Sequence, residues 1–159
     1  MRPIIVVPAS EYPGNICLKN AVKFLRDGRY EPAKDIVETA DEKYETKKVF
    51  DKRIGGHLDG IDVRFEVYDS VYGFTAKDWS RVICLFSNGE TFQFKDWPPQ
   101  DNDMHADPRM RNPHKGPNQQ MSDTEKQTKI VNIFHRVKGF YLHYQDVPEP
   151  PIVKTWNVT

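Results

Sequence analysis

Short glycine-containing segments are the places where this chain could bind a nucleotide. A phosphate-binding loop needs G-x-x-x-x-G-K-[ST] after a strand, because glycine amides surround the phosphates and the lysine neutralises them. After Val7 the sequence reads Pro-Ala-Ser-Glu-Tyr-Pro-Gly-Asn, with one glycine, a carboxylate and no Lys-Ser/Thr pair. Gly55 and Gly60 have the required offset, but Ile61-Asp62 follows them. Asp-x-x-Gly for the γ-phosphate and Asn-Lys-x-Asp for guanine are both absent, so the sequence argues against GTP binding, which is kept only as an alternative.

Metal chemistry is the next possibility, at Asp101–Asp107. This acidic stretch looks like a calcium loop, but Ala106 stands where the turn glycine is required and Asn112 where the bidentate glutamate is required. His105 and His114 have no cysteine near them, whereas a structural zinc site takes four ligands. The sequence therefore predicts a solvated polar loop here, without metal or cofactor.

Nucleophilic catalysis has no matching pattern in the chain. No G-x-S-x-G turn occurs, and Cys84 lies inside an apolar strand, where a thiolate is disfavoured. Cys17 and Cys84 are expected to be reduced and packed as small hydrophobic residues. His135 and His143 are expected on a helix and a strand as packed or surface residues. No enzymatic activity is predicted.

Arg81 is a candidate ligand-binding residue. It lies between Trp79 and a buried strand, where a guanidinium beside aromatic rings can bind a phosphate with two hydrogen bonds. The alternative is an internal ion pair with Asp78 or Asp96. Both readings remain open from the sequence.

The aromatic residues after this strand are candidates for a binding surface. Phe92 and Phe94 alternate with Gln93, and Trp97 precedes two prolines. Core packing accounts for most of these rings. Any that remain exposed would mark a protein-binding surface.

Basic residues on two predicted helices raise a third possibility, direct binding of nucleic acid. They are Lys19, Lys23, Arg26 and Arg29 on the first helix, and Lys126, Lys129, Arg136 and Lys138 on the later one. Near the end of a helix, positive charge also complements the helix dipole. Overall charge is balanced, with 23 basic and 23 acidic residues, so net attraction to nucleic acid is not implied.

The size and composition are those of one folded domain with long solvated segments. The chain has 159 residues, of which 38% are hydrophobic and 29% charged. No apolar run approaches the roughly 20 residues of a membrane-spanning helix, and the start lacks a secretory signal pattern. A cytosolic or nuclear location is therefore expected.

Hydrophobic patterning in the first half places the candidate residues on strands and helices. Ile4 to Val7 is a short apolar run, typical of a strand buried on both faces of a parallel sheet. A helix from about Asn15 to Asp27-Gly28 follows. Glu31 to Arg53 is predicted to be a mobile or partly helical insertion. Ile61 to Val67 alternates between apolar and polar residues, which favours a strand at a sheet edge.

In the second half, Thr75 to Asp78 reads as a helical turn before a strand at Arg81 to Phe86. Pro98 to Met121 contains five prolines and few large apolar residues, and is predicted to be a long disordered loop. Ser122-Asp-Thr-Glu is a capping box for a helix reaching about Lys138. Gly139 is expected to end that helix, and a strand is predicted at Phe140 to Tyr144. A last element begins near Val153. The order strand, helix, strand, strand, helix, strand predicts a three-layer α/β fold with a mixed sheet.

Four motifs in the chain resemble the parafibromin family in its C-terminal domain, and a fungal member is expected. The motifs are Asp78-Trp-Ser-Arg-Val82, Thr91-Phe-Gln-Phe94, Val137-Lys-Gly-Phe140 and Trp156-Asn-Val158. The family often has tryptophan where Phe92 stands. The resemblance implies a Ras-like domain, a mostly parallel sheet with helices on both faces and no nucleotide-binding motifs. It also implies that residues 1–159 form a single domain without the family's last strand and helix.

The resemblance further implies a non-enzymatic adaptor of the RNA polymerase II-associated factor (Paf) complex, acting in the nucleus during transcription elongation. Its expected partners are other Paf subunits, phosphorylated C-terminal repeats of RNA polymerase II and of an elongation factor, and chromatin. No membrane or small-molecule substrate is implied. A phosphopeptide groove needs basic and aromatic side chains. The candidates are Arg81 and Phe92, followed by Trp97 and Lys77.

Overall fold

A five-stranded sheet organises residues 2–55, 60–97 and 122–159, which the computed structural model describes. The strands run in the order β2-β3-β1-β4-β5, with β2 antiparallel to β3 and the other neighbours parallel. The elements are β1 (Ile4–Val6), α1 (Leu18–Asp27), β2 (Lys47–Ile54), β3 (Ile61–Tyr68), α2 (Ala76–Trp79), β4 (Val82–Ser87), α3 (Asp123–Arg136) and β5 (Lys138–Tyr141). The predicted mostly parallel, mixed sheet is confirmed. The loop predicted at 98–121 lies outside the described residues.

Strand β1 lies at the centre of the sheet and separates two hydrophobic layers. Ile4 and Val6 join the cluster that contains α3, whereas Ile5 and Val7 join the cluster that contains α1. Successive strand residues point to opposite faces, so a wholly apolar strand needs a cover on each side. Burial of such a side chain contributes about 1.5–3 kcal/mol. The apolar sequence of β1 thus accounts for the three-layer arrangement.

Helix α1 begins at Leu18, later than the predicted Asn15, because the side chain of Asn20 fixes the start. Its Oδ1 accepts a hydrogen bond from the Cys17 amide at 2.9 Å, and its Nδ2 donates to the Asn15 carbonyl at 3.1 Å. At the other end Gly28 has a φ of 70° and donates to the Phe24 carbonyl. The predicted glycine cap is confirmed.

The region from Glu31 to Arg53, predicted to be a mobile or partly helical insertion, is helical only in two short segments and contains a strand that was not predicted. It contains two 3₁₀ helices, at Ala33–Asp35 and Glu42–Tyr44, followed by strand β2. This strand takes the edge position, so the predicted edge position of β3 is wrong. The Phe50 and Phe65 rings stack with centroids 5.2 Å apart across the two strands, and such cross-strand contacts outweigh weak helical spacing.

Capping boxes start both later helices, at Ser122 as the sequence predicts and at Thr75, where only a helical turn was predicted. Thr75 Oγ1 accepts from the Asp78 amide at 3.3 Å, and Asp78 Oδ2 accepts from the Thr75 amide at 2.9 Å. The same reciprocal bonds join Ser122 and Glu125 at the start of α3. Each box satisfies backbone amides that the first turn of a helix leaves unpaired. No helix in the described part of the chain is long and apolar enough to cross a membrane.

Gly139 does not end helix α3 as predicted but lies inside strand β5. A Cβ at this position would lie 2.3 Å from Phe134 Cδ1 and 2.9 Å from Val158 Cγ1. Glycine is therefore required because α3 and the segment at Val158 both approach the strand closely. The strand accordingly occupies Lys138–Tyr141 rather than the predicted 140–144. The last element begins at Val153, as predicted, in a 3₁₀ helix.

Candidate functional site

Phe92 stands on a short 3₁₀ helix, Thr91–Phe94, that follows the turn after β4. Gln93 anchors this helix, because its Nε2 donates to the Phe86 carbonyl at 2.7 Å and its Oε1 accepts from the Asn88 amide at 3.3 Å. With Gln93 held against the strand end, the two phenyl rings take different environments. Phe94 is 1% exposed, whereas Phe92 is 55% exposed. Of the two rings, Phe92 is therefore the one that lies on the surface.

An aromatic cluster lies beneath this helix. The centroid of the Phe94 ring lies 5.5 Å from that of Phe134, 5.7 Å from that of Trp156 and 5.9 Å from that of Trp97. The ring centroids of Trp97 and Trp79 are 5.0 Å apart, and Trp97 is only 1% exposed. Trp97 thus supports the position of the surface helix from within the core.

A cavity of about 480 Å³ opens beside Phe92, between its helix and α3. The described residues that line it are Thr91, Phe92, Phe94, Lys95, Lys126, Lys129 and Ile130. Lys129 is buried and its Nζ donates to the Lys95 carbonyl at 3.2 Å. Lys126 forms an exposed ion pair with Asp123 at 2.9 Å. Three lysines therefore surround a cavity with an apolar floor.

Three of these lining residues, Thr91, Lys95 and Ile130, were not among the site residues that the sequence suggested. A signal for Ile130 was available, because Lys126, Lys129 and Ile130 have the i, i+3, i+4 spacing that places side chains on one helical face. The position of Lys95 beside them depends on how the 3₁₀ helix packs against α3. That packing cannot be predicted from a sequence pattern.

Arg81 is held inside an ion-pair network. Its Nη1 donates to Glu66 Oε2 and to the Arg2 carbonyl, each at 2.9 Å, and its Nη2 donates to Asp78 Oδ1 at 2.8 Å. The side chain is 15% exposed. The internal pair with Asp78, one of the two alternatives drawn from the sequence, is present, and Glu66 is an additional partner.

The carboxylates of this network stay charged. Burial alone would raise the pKa of Asp78, but hydrogen bonds from Thr75 and Arg81 outweigh it and hold the pKa at about 2. Burial likewise opposes ionisation of Glu66, yet the Arg81 hydrogen bond and the nearby Lys47 charge lower its pKa. Because charged partners already occupy the guanidinium, the network has the character of a structural support.

The four predicted binding residues do not form one groove. Arg81 precedes β4 and Lys77 lies exposed on α2, whereas Phe92 follows the opposite end of β4. A strand of this length separates its ends by about 20 Å. Trp97 lies in the core. Phe92 is exposed and lines a cavity, and the binding roles of all four residues stay predictions.

The basic residues of the two helices do not combine into one patch. Helix α1 packs with the cluster around Ile5 and α3 with the cluster around Ile4, on opposite faces of the sheet. On α1, Lys19 pairs with Glu11 and Glu38, Lys23 with Glu31 and Arg26 with Asp27. Carboxylates thus offset the charge of α1.

The described residues contain no cluster of side chains that could hold a metal ion. No group of three or more His, Cys, Asp or Glu side chains that could hold a metal occurs in residues 2–55, 60–97 and 122–159. Burial raises the pKa of Cys84 to about 11, so its thiol stays protonated and weakly nucleophilic at neutral pH. His105 and His114, considered above as metal ligands, lie outside these ranges.

The whole chain matches one protein family. Residues 1–159 match the family model described as RNA pol II accessory factor, Cdc73 family, C-terminal. The match confirms the family that the sequence motifs indicated.

Curated relatives from fungi and plants agree with this match. The chain is 24% identical over 156 residues to Cell division control protein 73 of Schizosaccharomyces pombe, covering 98% of the chain and 34% of that protein. It is 28% identical over 162 residues to Protein CDC73 homolog of Arabidopsis thaliana, covering 98% and 31%. The chain therefore spans about a third of the length of these relatives.

A solved structure has the same fold. The conserved domain of yeast Cdc73 superposes with a TM-score of 0.64 at 21% sequence identity, covering 98% of this chain and 78% of that one. The likeness confirms the Ras-like, mixed α/β architecture expected from the sequence.

Proposed function

The chain belongs to the Cdc73 C-terminal domain family of RNA polymerase II accessory factors, and from this we propose that it is a non-enzymatic protein-interaction module of the Paf transcription elongation complex. It acts in the nucleus and helps the complex associate with the polymerase, an elongation factor and chromatin. The ligands are phosphorylated C-terminal repeats of the polymerase and of the elongation factor.

The observation that carries this proposal is the exposed Phe92 ring beside a cavity with three lysines. A phosphate group on Ser or Thr binds where cationic donors converge, and an exposed ring provides a stacking surface for Tyr or Pro. Lys95, Lys126 and Lys129 supply the charge around an apolar floor that contains Ile130. These are the chemical requirements of a phosphorylated repeat.

Binding a phosphate here disturbs little existing structure. The Lys126–Asp123 pair is exposed, and pairs of this kind contribute about 0–1 kcal/mol. A phosphate carries more charge than the Asp123 carboxylate, so Lys126 can turn to it at small cost. Phe92 is already exposed and its helix is anchored by Gln93. The site is therefore largely organised before the ligand arrives.

The other predicted residues have supporting places in this proposal. Trp97 packs against Phe94 and so holds the helix that carries Phe92. Arg81 and Lys77 belong to the opposite end of β4, where Lys77 is exposed for a contact with a longer partner. The proposal assigns the phosphate to the lysines near Phe92.

The test is a fluorescence-anisotropy titration with polymerase repeat peptides in phosphorylated and unphosphorylated forms. We expect wild type to bind the phosphorylated form about tenfold more tightly, a difference of about 1.4 kcal/mol. Phe92→Ala should weaken both peptides, because it removes a stacking surface. Lys126→Gln should weaken only the phosphorylated one.

Matched controls are Tyr44→Ala and Lys43→Gln on the 3₁₀ helix Glu42–Tyr44, away from the cavity. Tyr44 is 87% exposed, so its removal tests for a general effect of losing a surface ring. Equal, negligible binding of both peptides to wild type would remove the phosphopeptide proposal. So would an affinity that Phe92→Ala leaves unchanged.

A further inference from the structure

A second cleft also borders Phe92, at the carboxyl ends of β1, β3 and β4. It has a volume of about 260 Å³, and the residues that define it are Pro8, Asp69, Asn88, Phe92, Asp96 and Trp97. Crevices at the carboxyl ends of parallel strands are where open α/β sheets bind ligands. Phe92 and Lys95 line this cleft as well as the lysine-lined cavity, so the two sites are adjacent.

Two carboxylates, those of Asp69 and Asp96, line this cleft, and Lys95 is shared with the lysine-lined cavity. Asp69 is half-buried in its wall, and no Lys, Arg or His contact to its carboxylate occurs among the described residues. Burial raises the pKa of this carboxyl group, which means that its charge is poorly solvated. A cation brought by a ligand would stabilise the poorly solvated Asp69 carboxylate.

The loop after β1 helps to fix the polar groups of this cleft. Asn88 Nδ2 donates to Ser10 Oγ at 2.7 Å, which ties the loop to the end of β4. The Asn88 Oδ1 atom accepts from the Glu90 amide at 3.0 Å. Both polar atoms of the Asn88 side chain are therefore engaged within the protein. The two carboxylates of the cleft favour a positive group.

We propose that this cleft binds an arginine side chain of the same partner segment whose phosphate occupies the lysine-lined cavity. The inference rests on the proposed function and specifies its ligand: a phosphorylated segment with an arginine close to the phosphorylated residue. A planar guanidinium pairs with the Asp69 carboxylate and stacks on the Phe92 ring. Phe92 separates the positive and negative groups of such a ligand.

The test uses synthetic peptides that carry one phosphoserine and one arginine, separated by one, two, three or four residues. Each has a matched peptide with glutamine in place of arginine, and an unphosphorylated version of each pair is included. Affinities are measured by calorimetry for wild type, Asp69→Asn and the control Asp35→Asn, an exposed carboxylate on the 3₁₀ helix Ala33–Asp35.

At one separation between phosphoserine and arginine, we expect the arginine peptide to bind about three- to tenfold more tightly than its glutamine counterpart. A partly desolvated ion pair combined with ring stacking provides a preference of this size. Asp69→Asn should abolish this preference, and Asp35→Asn should retain it. Equal affinities of arginine and glutamine peptides at all spacings overturn the inference. A preference that survives in Asp69→Asn overturns it as well.

A second measurement works even if Asp69→Asn does not fold. Amide NMR shifts of wild type are followed during titration with the unphosphorylated arginine peptide. Changes are expected at Asp69, Ser70 and Asn88, with the glutamine peptide causing none; no change at these amides contradicts the inference. This readout needs no phosphate, so the two proposals can fail separately. Equal binding of phosphorylated and unphosphorylated peptides would contradict only the proposed function. Equal binding of arginine and glutamine peptides would contradict only the inference.

Discussion

At the residue scale, the partners of a side chain decide what its chemistry is used for. Arg81 has the side chain best suited to bind a phosphate, but Glu66 and Asp78 occupy its donors at 2.9 and 2.8 Å. Removing one member of a buried network leaves the others uncompensated, which is strongly destabilising. Phe92 has a simpler side chain, and its exposure beside the lysines makes it the better candidate for ligand contact.

The charge of Asp78 should contribute to stability in a defined pH range. Its folded-state pKa of about 2 lies below the ordinary value of 3.8. The contribution is therefore present above about pH 4 and is lost as the pH falls towards 2. Asp78→Asn should lower the free energy of unfolding at pH 7 by about 1–2 kcal/mol.

Urea unfolding of wild type and Asp78→Asn at several pH values checks this expectation. The two proteins should converge in stability near pH 2. Asp62→Asn is the control, because Asp62 is 73% exposed and its partner Arg53 is 3.7 Å away. A difference for Asp78→Asn that stays constant from pH 7 to pH 2 would contradict the assigned cause.

At the element scale, pairing between strands decides the identity of the region before β3. The segment Lys47–Ile54 pairs with β3 along its whole length, from Lys47 opposite Tyr68 to Ile54 opposite Ile61. One face of the pair carries Phe50 and Phe65 towards α1, and the other carries ion pairs such as Asp51–Arg64. This division matches the two-residue period of a strand.

Two alanine substitutions distinguish this strand from the helical insertion that the composition suggested. Phe50→Ala should lower the free energy of unfolding by about 3–5 kcal/mol, because it removes a buried ring that is 5% exposed. Val49→Ala should cost less than about 1 kcal/mol, because Val49 lies on the opposite face and is 44% exposed. Equal effects of the two substitutions in urea unfolding would contradict the strand assignment.

At the scale of the whole molecule, a Ras-like architecture is combined with a sequence that lacks the pattern of a phosphate-binding loop at the end of β1. Proline and glutamate replace the glycines and lysine of a phosphate loop, and Asn88 ties the replacement loop to β4 through Ser10. Asp69 adds negative charge to the cleft. Two hydrophobic layers, one on each face of the sheet, hold the described part of the fold together.

Titration of the protein with fluorescently labelled GTP and Mg²⁺ should show no saturable binding up to about 100 μM. A dissociation constant above this concentration corresponds to a binding free energy weaker than about −5.5 kcal/mol. The physical reason is the lack of a phosphate-binding loop together with the carboxylates near its place. A phosphorylated repeat peptide in the same instrument serves as the positive comparison. Micromolar, magnesium-dependent binding of GTP would overturn the proposed loss of nucleotide chemistry.

Local patterns in the sequence determined much of the scaffold. The apolar run at β1, the capping boxes at Thr75 and Ser122, and the glycine after α1 each act within a few residues, so their effects can be predicted without the fold. The motifs around Phe92 indicated the family. The absence of a phosphate-binding loop pattern was likewise evident from the amino-acid sequence alone.

Tertiary structure decided the features that depend on contacts between distant segments. The edge position of β2 depends on pairing with β3, and the close approach of α3 requires Gly139 inside a strand. The same is true of the candidate site, because Glu66 and Asp78 engage Arg81 and the packing of α3 brings lysines beside Phe92. Sequence spacing records which residues are near in the chain, whereas burial and charge pairing depend on which residues meet in space.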